Sequence, residues 1–293
     1  MASPVLIDAH LHIYETREEG QQAKAGYHIW EYGEKPDVHF SQYGGNLEDA
    51  LDAIDKAGFS KAVVVNLFSG SPGERSPDMA DQLKEYNRWG CDLARPHSQL
   101  VPYISTDPSI LPGEEGAAHV REMAENHGAR GVKLHPLLQQ FEMGDERMWP
   151  VYETCVDLGI PIVSHSGPAR DGRPYGTPKA FAAVLQRFPD LKLVLAHMGG
   201  GAWRETLEIA GSYPHAYFDC CEIMEWTGSS NGPTYEQLAQ LIKEIGPERV
   251  LMGSDFPWYD LDRSVKLVME LPGLSQEEKE GILGANAIRI LDL

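Results

Sequence analysis

Ile7-Asp8-Ala9-His10-Leu11-His12-Ile13 is an apolar run that ends in two histidines one residue apart. In a strand, residues i and i+2 share a face, so Asp8, His10 and His12 are expected to point the same way. Two imidazoles there can reach one ion. Alone, such a pair is equally well explained as ordinary histidines near a strand end. Three later apolar runs change that reading, because each also ends in one polar residue. They give His165 in PIVSHSG, His197 in LVLAHMGG and Asp255 in VLMGSDFP. Three imidazoles and a carboxylate suit a zinc-like divalent ion, with a spare histidine for proton transfer.

Working outward, strand and helix signals alternate along the whole chain. Strands are expected at Val5–Ile13, Lys61–Phe68, Gln99–Thr106, Arg130–His135, Pro161–His165, Lys192–His197, Ala216–Cys221 and Arg249–Ser254. Most are rich in Val, Ile and Leu with little alternation, which is the pattern of parallel strands covered on both faces. Helical periodicity lies between them. Leu47, Ala50, Leu51 and Ile54 form one stripe, with Asn46 placed as N-cap and Gly58 as stop. Further helices are expected over Gly116–His127, Glu146–Leu158, Pro178–Phe188, Trp203–Gly211, Tyr235–Ile245 and Asp262–Leu271. The last begins at Ser275, where Ser275-x-x-Glu278 resembles a capping box. Eight such pairs predict an α/β fold: a single-domain (β/α)8 TIM barrel over residues 1–293, with its chemistry at the C-terminal strand ends. An open doubly wound sheet would need a glycine-rich phosphate turn after the first strand, and none is there.

Residues 14–45 separate the first strand from its helix and hold Tyr27, Trp30, Tyr32, Phe40 and Tyr43. That aromatic content is expected to make an ordered loop over the active site; the other reading is an excursion packed on the barrel rim.

The 293 residues, 42% hydrophobic and 24% charged, are ordinary for a globular protein. The formal net charge of -19 speaks against nucleic acid and against anionic membrane as partners. A small anionic substrate remains compatible, since a cationic pocket can exist on an acidic protein. No apolar stretch approaches the roughly 20 residues that span a bilayer, and no secretion signal is visible. Cys91, Cys155, Cys220 and Cys221 form no Cys-x-x-Cys pair and are expected to be reduced and buried, which points to the cytoplasm.

Around the expected ligands His10, His12 and His165 stand several candidates for chemistry. Asp255 could bind the ion and accept a proton from its water, or simply cap the next segment. His197 could be a fourth ligand or an acid–base group. Gly199, Gly200 and Gly201 either let the backbone approach a substrate or only make a turn. Lys133 and His135 share a face of GVKLHP and could bind a substrate carboxylate; Lys133 could instead bridge two metals as a carbamate, or be a neutralised interior lysine. Arg170 could grip a carboxylate through two parallel hydrogen bonds, or lie exposed in a loop. Trp258 and Tyr259 either wall the pocket or pack on the rim.

The order and spacing of DAHLH (Asp8–His12), GVKLHP (Gly131–Pro136), VSHSG, LAHMGG, GSDFP and the C-terminal GANAIRIL resemble the amidohydrolase superfamily. The nearest likeness is to its amidohydrolase-related branch, which includes aminocarboxymuconate-semialdehyde and γ-resorcylate decarboxylases. The resemblance covers nearly the whole chain. It implies a barrel with one catalytic divalent metal, zinc first and manganese second. His10 and His12 match the first-strand ligands and His165 the fifth-strand ligand. His197 matches the sixth-strand acid–base histidine, and Asp255 the eighth-strand aspartate. It also implies a homodimer as the expected assembly.

These readings lead to a metal-dependent hydrolase of a small ester, lactone or amide, in which Asp255 takes a proton from metal-activated water and His197 assists. The alternative is a metal-dependent non-oxidative decarboxylase of a small carboxylic acid, built from the same constellation. A metal-binding protein without turnover would not need His197. A nuclease of similar fold is disfavoured by the acidic surface and by the lack of a glutamate where GVKLHP stands.

Overall fold

The protein is described by a computed structural model covering residues 4–25, 31–68 and 76–293. Its eight strands are β1 (Ile7–Leu11), β2 (Lys61–Val64), β3 (Leu100–Ser105), β4 (Gly131–Leu134), β5 (Ile162–Ser164), β6 (Leu193–Leu195), β7 (Tyr217–Asp219) and β8 (Val250–Leu251). Each pairs in parallel with the next, in the order β1 to β8. The ring closes where Ala9 N donates to Met252 O at 3.0 Å and Leu11 bridges to Phe256. Closure leaves no sheet edge, and the architecture is a (β/α)8 barrel.

All eight strands fall inside their expected ranges, but each ladder is shorter than its apolar run. The trimmed residues are mostly at the C-terminal ends. There the backbone leaves the ladder and turns, which carries the polar residues into the barrel mouth.

Along the strands, alternate residues enter two separate cores. Ile7, Ala9, Val63, Val101, Tyr103, Val163, Val194 and Leu251 pack together with Ala287, Ile290 and Leu291 of the final helix. Their neighbours, such as Val64, Ile104, Val132, Leu193, Phe218 and Val250, join the larger cluster under the outer helices. Runs with little alternation are therefore apolar on both faces because both faces are covered.

The caps behave as their chemistry requires. The Asn46 side chain accepts from Asp49 N, and Gly58 ends that helix at φ 76°. Ser275 and Glu278 form a reciprocal capping box, as do Thr234 and Gln237. Two helices were not expected: the single turn Pro136–Gln139, and Arg17–Ala25, which interrupts the supposed loop 14–45. The latter's sequence REEGQQAKA has no apolar stripe, so periodicity cannot reveal it. Tyr27 and Trp30 lie outside the described residues. Three expected helices begin instead in 3-10 structure, at Glu146–Met148, Pro178–Phe181 and the end of Ala196–Glu205. All four cysteines are buried and unpaired, and no described helix is long and apolar enough to cross a membrane.

Candidate active site

A register shift in β1 between Asp8 and Leu11 breaks the simple pleat. Asp8 consequently does not join His10 and His12 in the cavity. Its carboxylate braces β1 against β8, accepting from His10 N at 3.0 Å, Ser254 N at 2.9 Å and the Ser254 hydroxyl. His10 and His12 are turned to the mouth, where both meet Asp255. His12 Nε2 lies 3.2 Å and His10 Nε2 3.6 Å from Asp255 Oδ1. These three donor atoms lie within 4.8 Å of one another, a spacing a divalent ion can bridge.

The last three strands, β6 to β8, deliver their residues through strained backbone. His197 after β6, Glu222 after β7 and Asp255 after β8 all have left-handed φ, at 59°, 58° and 56°. A non-glycine residue there persists only if its surroundings fix it. His197 N donates to Asp219 Oδ1 at 2.8 Å, and Asp255 N donates to His10 O at 2.8 Å. The turn redirects each side chain to the cavity instead of continuing the pleat.

His10, His12, Lys133, His135, His165, His197, Asp255 and Trp258 all line one cavity of about 390 Å³. Lys133 Nζ sits 3.0 Å from His10 Nε2 at the cavity floor, fully buried. His135 and His165 stack face to face, ring centroids 3.9 Å apart, and His165 meets the His197 ring edge-on at 4.8 Å. His165 thus lines the cavity one ring away from the His10, His12 and Asp255 set. Trp258 stands edge-on to His12 at 5.5 Å. Arg170 is not brought to the site; it lies exposed in a turn and does not line the cavity. The sequence around it, rich in glycine and charge, carries no signal of direction.

Burial dominates the electrostatics. It pushes the pKa values of His10 and His12 down, and those of His135 and His165 well down. It lowers His197 to about 4, so these imidazoles are neutral and offer lone pairs. Burial opposes the charge of Asp219, but His10 and His197 hold its pKa at about 2. Asp255 is likewise depressed, against its burial, by the hydrogen bond from His12 and by the nearby His10 and His197. Burial lowers Lys133, with Asp255 and Asp219 acting against that shift.

Five residues beside the candidate site were given no role there by the sequence reading. Asp219 accepts from His10 Nδ1 at 2.9 Å and so orients the ring whose Nε2 faces Asp255. Cys221 and Glu222 follow two residues behind. Asn66 lines the cavity; its Oδ1 accepts from Ile13 N at 2.8 Å, while its Nδ2 has no partner among the described residues. Only the strand-end position of Asp219 could have flagged any of them.

The fifth, Glu31, explains two glycines. A Cβ on Gly200 would lie 2.5 Å from Glu31 Oε1, and one on Gly167 2.5 Å from Glu31 Oε2. The room at Gly200 therefore admits a buried carboxyl from the 14–45 segment, where a close approach to substrate was one expectation. Burial raises Glu31 to about 8. As pH rises from the ordinary glutamate range to about 8, the unfolded chain ionises while the folded chain does not, so stability falls. Glu31→Gln is expected to remove this slope and to stabilise the protein at pH 9 by roughly 1–3 kcal/mol. Thermal unfolding of both proteins at pH 5 and pH 9 checks this; equal pH dependence would sink it.

A family model described as "Amidohydrolase" matches residues 7–293. Among curated proteins, the chain is 26% identical over 213 residues to 2-amino-3-carboxymuconate-6-semialdehyde decarboxylase of Dictyostelium discoideum, covering 61% of this chain and 58% of that protein. It is 27% identical over 181 residues to γ-resorcylate decarboxylase of a Polaromonas species, covering 50% and 54%. The matches thus span little more than half the length of these relatives. Among solved structures, a dihydroxybenzoic acid decarboxylase from Polaromonas, with bound manganese and the inhibitor 2-nitroresorcinol, superposes with a TM-score of 0.73. It is 16% identical and covers 99% of this chain and 98% of that one, a likeness of fold. The expectation of ester, lactone or amide hydrolysis is corrected by these findings. The named relatives are decarboxylases, which backs the alternative reading; the ligand set, shared by both chemistries, could not separate them.

Proposed function

This chain belongs to the amidohydrolase family, and from that premise we propose that it is a metal-dependent, non-oxidative decarboxylase of a small carboxylic acid. The observation that carries this reading is that both curated relatives described above are decarboxylases. The cavity supports it. Cationic and ligating groups line it together with Ile13, Tyr14, Leu67, Tyr86, Leu138 and Trp258, which supply apolar wall. A small acid would place its carboxylate among the former and its hydrocarbon body against the latter.

His10, His12 and Asp255 would hold the ion, with His165 able to approach from the His197 side. Neutral imidazoles and one carboxylate suit zinc, and manganese also accepts such a set. When bound, the ion supplies fixed positive charge against the substrate oxygens. Lys133 Nζ and Asn66 Nδ2 are placed to hold the substrate's carboxylate or a neighbouring oxygen. In decarboxylation the bond from the carboxyl carbon to its neighbour breaks, the electron pair stays on that neighbour, and carbon dioxide leaves. His197 or Asp255 would relay a proton taken up from solvent to that carbon. The unpaired, buried cysteines fit a reducing compartment such as the cytoplasm.

A panel of small arene and enoic acids, assayed for carbon dioxide release with manganese, with zinc and with chelator, tests the reading. Release from at least one acid is expected, abolished by chelator and restored by metal. Metal-dependent cleavage of esters or lactones, with no carbon dioxide from any acid, would falsify it.

A further inference from the structure

The His10 ring looks two ways. Its Nε2 faces His12 and Asp255, while its Nδ1 faces Asp219 and Cys221. Cys221 Sγ lies 3.4 Å from His10 Nδ1, 3.1 Å from His197 Nδ1 and 2.9 Å from Asp219 Oδ1. Asp219 Oδ2 lies 2.9 Å from His10 Nδ1. All four residues are buried, and the other three cysteines belong to the apolar core under the outer helices. Tetrahedral zinc, at about 2.3 Å from sulfur and 2.0 Å from nitrogen or oxygen, sets donors roughly 3.3–3.6 Å apart. The three sulfur separations lie within about 0.6 Å of that range, and the donor atoms of His10, His197 and Cys221 all lie within 4.8 Å of one another.

We propose that Cys221, His10, His197 and Asp219 form a second, thiolate-containing site for a soft divalent ion such as zinc or cadmium, and that filling it prevents the His10, His12 and Asp255 set from holding its own ion. Sulfur selects soft ions, whereas the outer set of nitrogen and oxygen also accepts harder ones such as manganese. On binding, the Cys221 thiol loses its proton to solvent and the sulfur takes the ion. A neutral imidazole has one lone pair and one N–H. When His10 binds an ion through Nε2, its Nδ1–H donates to Asp219. When Nδ1 binds the inner ion, Nε2 carries the proton and the outer set loses a ligand. His197 Nδ1 is taken at the same time. Soft ions are therefore inhibitors of a manganese-loaded protein through a site distinct from the one manganese occupies.

Titrating the metal-free full chain with cadmium tests this without reference to any substrate. One equivalent is expected to produce a thiolate-to-cadmium ultraviolet band, and a cadmium-113 resonance shifted as for a single sulfur ligand. Both should be lost in Cys221→Ser and in Cys221→Ala, with folding followed by circular dichroism. Added to manganese-loaded protein, one equivalent of cadmium should release manganese, seen as free ion by electron paramagnetic resonance. In Cys221→Ser the same release should need at least tenfold more cadmium. Absence of the band in the wild-type protein overturns the proposal even if the variants do not fold. So does a band of equal intensity in either folded variant, or cadmium and manganese held together on one chain. No readout involves turnover, so the result stands apart from the fate of the decarboxylase reading.

Discussion

Asp255→Asn is expected to lower kcat/KM for carbon dioxide release by roughly 10³-fold or more, about 4 kcal/mol of transition-state stabilisation. The effect is expected to be large because the proposed reading gives the side chain two duties at once. Its Oδ1 lies within ligand reach of both His12 and His10, and it is held ionised by His12, His10 and His197 despite complete burial. The amide is a poorer ligand and cannot carry the proton. The fold should survive. Asparagine tolerates the left-handed backbone found here at φ 56°, and the bond from residue 255 N to His10 O does not involve the side chain. Thermal unfolding should therefore shift little while metal content and activity drop. Wild-type turnover by a metal-loaded variant would remove Asp255 from the mechanism.

The barrel was legible because each strand is apolar on both faces and ends in a polar residue or a glycine turn. Those ends placed His10, His12, His165, His197 and Asp255 around one cavity. Other parts were not legible, for identifiable reasons. A register shift in β1 depends on pairing with β2, so alternation alone wrongly put Asp8 beside the histidines. Asp219 and Cys221 sit in FDCCE, where nothing distinguishes a strand-end aspartate braced on His10 from one facing water. Glu31 enters its glycine cradle from a segment some 136 positions before Gly167 (167 − 31), a contact no local pattern can encode. The reaction itself was the largest miss: hydrolysis and decarboxylation draw on the same residues, and only the relatives separate them.

The remaining ambiguity at the site is whether His197 is a ligand or a proton carrier, and one substitution decides it. His197→Asn is the informative variant. At φ 59° and ψ 15° an alanine would add backbone strain, whereas asparagine tolerates that conformation. The bond from residue 197 N to Asp219 Oδ1 is kept, since it uses the backbone. If His197 moves the proton, kcat should fall by roughly 10²–10⁴-fold, with KM and bound metal nearly unchanged. The contrast with Asp255→Asn is the point, because there metal and activity fall together. His197 Nδ1 faces Cys221 Sγ at 3.1 Å, which leaves Nε2 as the atom available to the cavity. A proton on Nε2 would then be available to a substrate in the cavity. Should His197→Asn instead lose its metal in proportion to its activity, as measured by elemental analysis of the purified variant, the histidine belongs to the ligand set. The proton would then have to come from Asp255 alone.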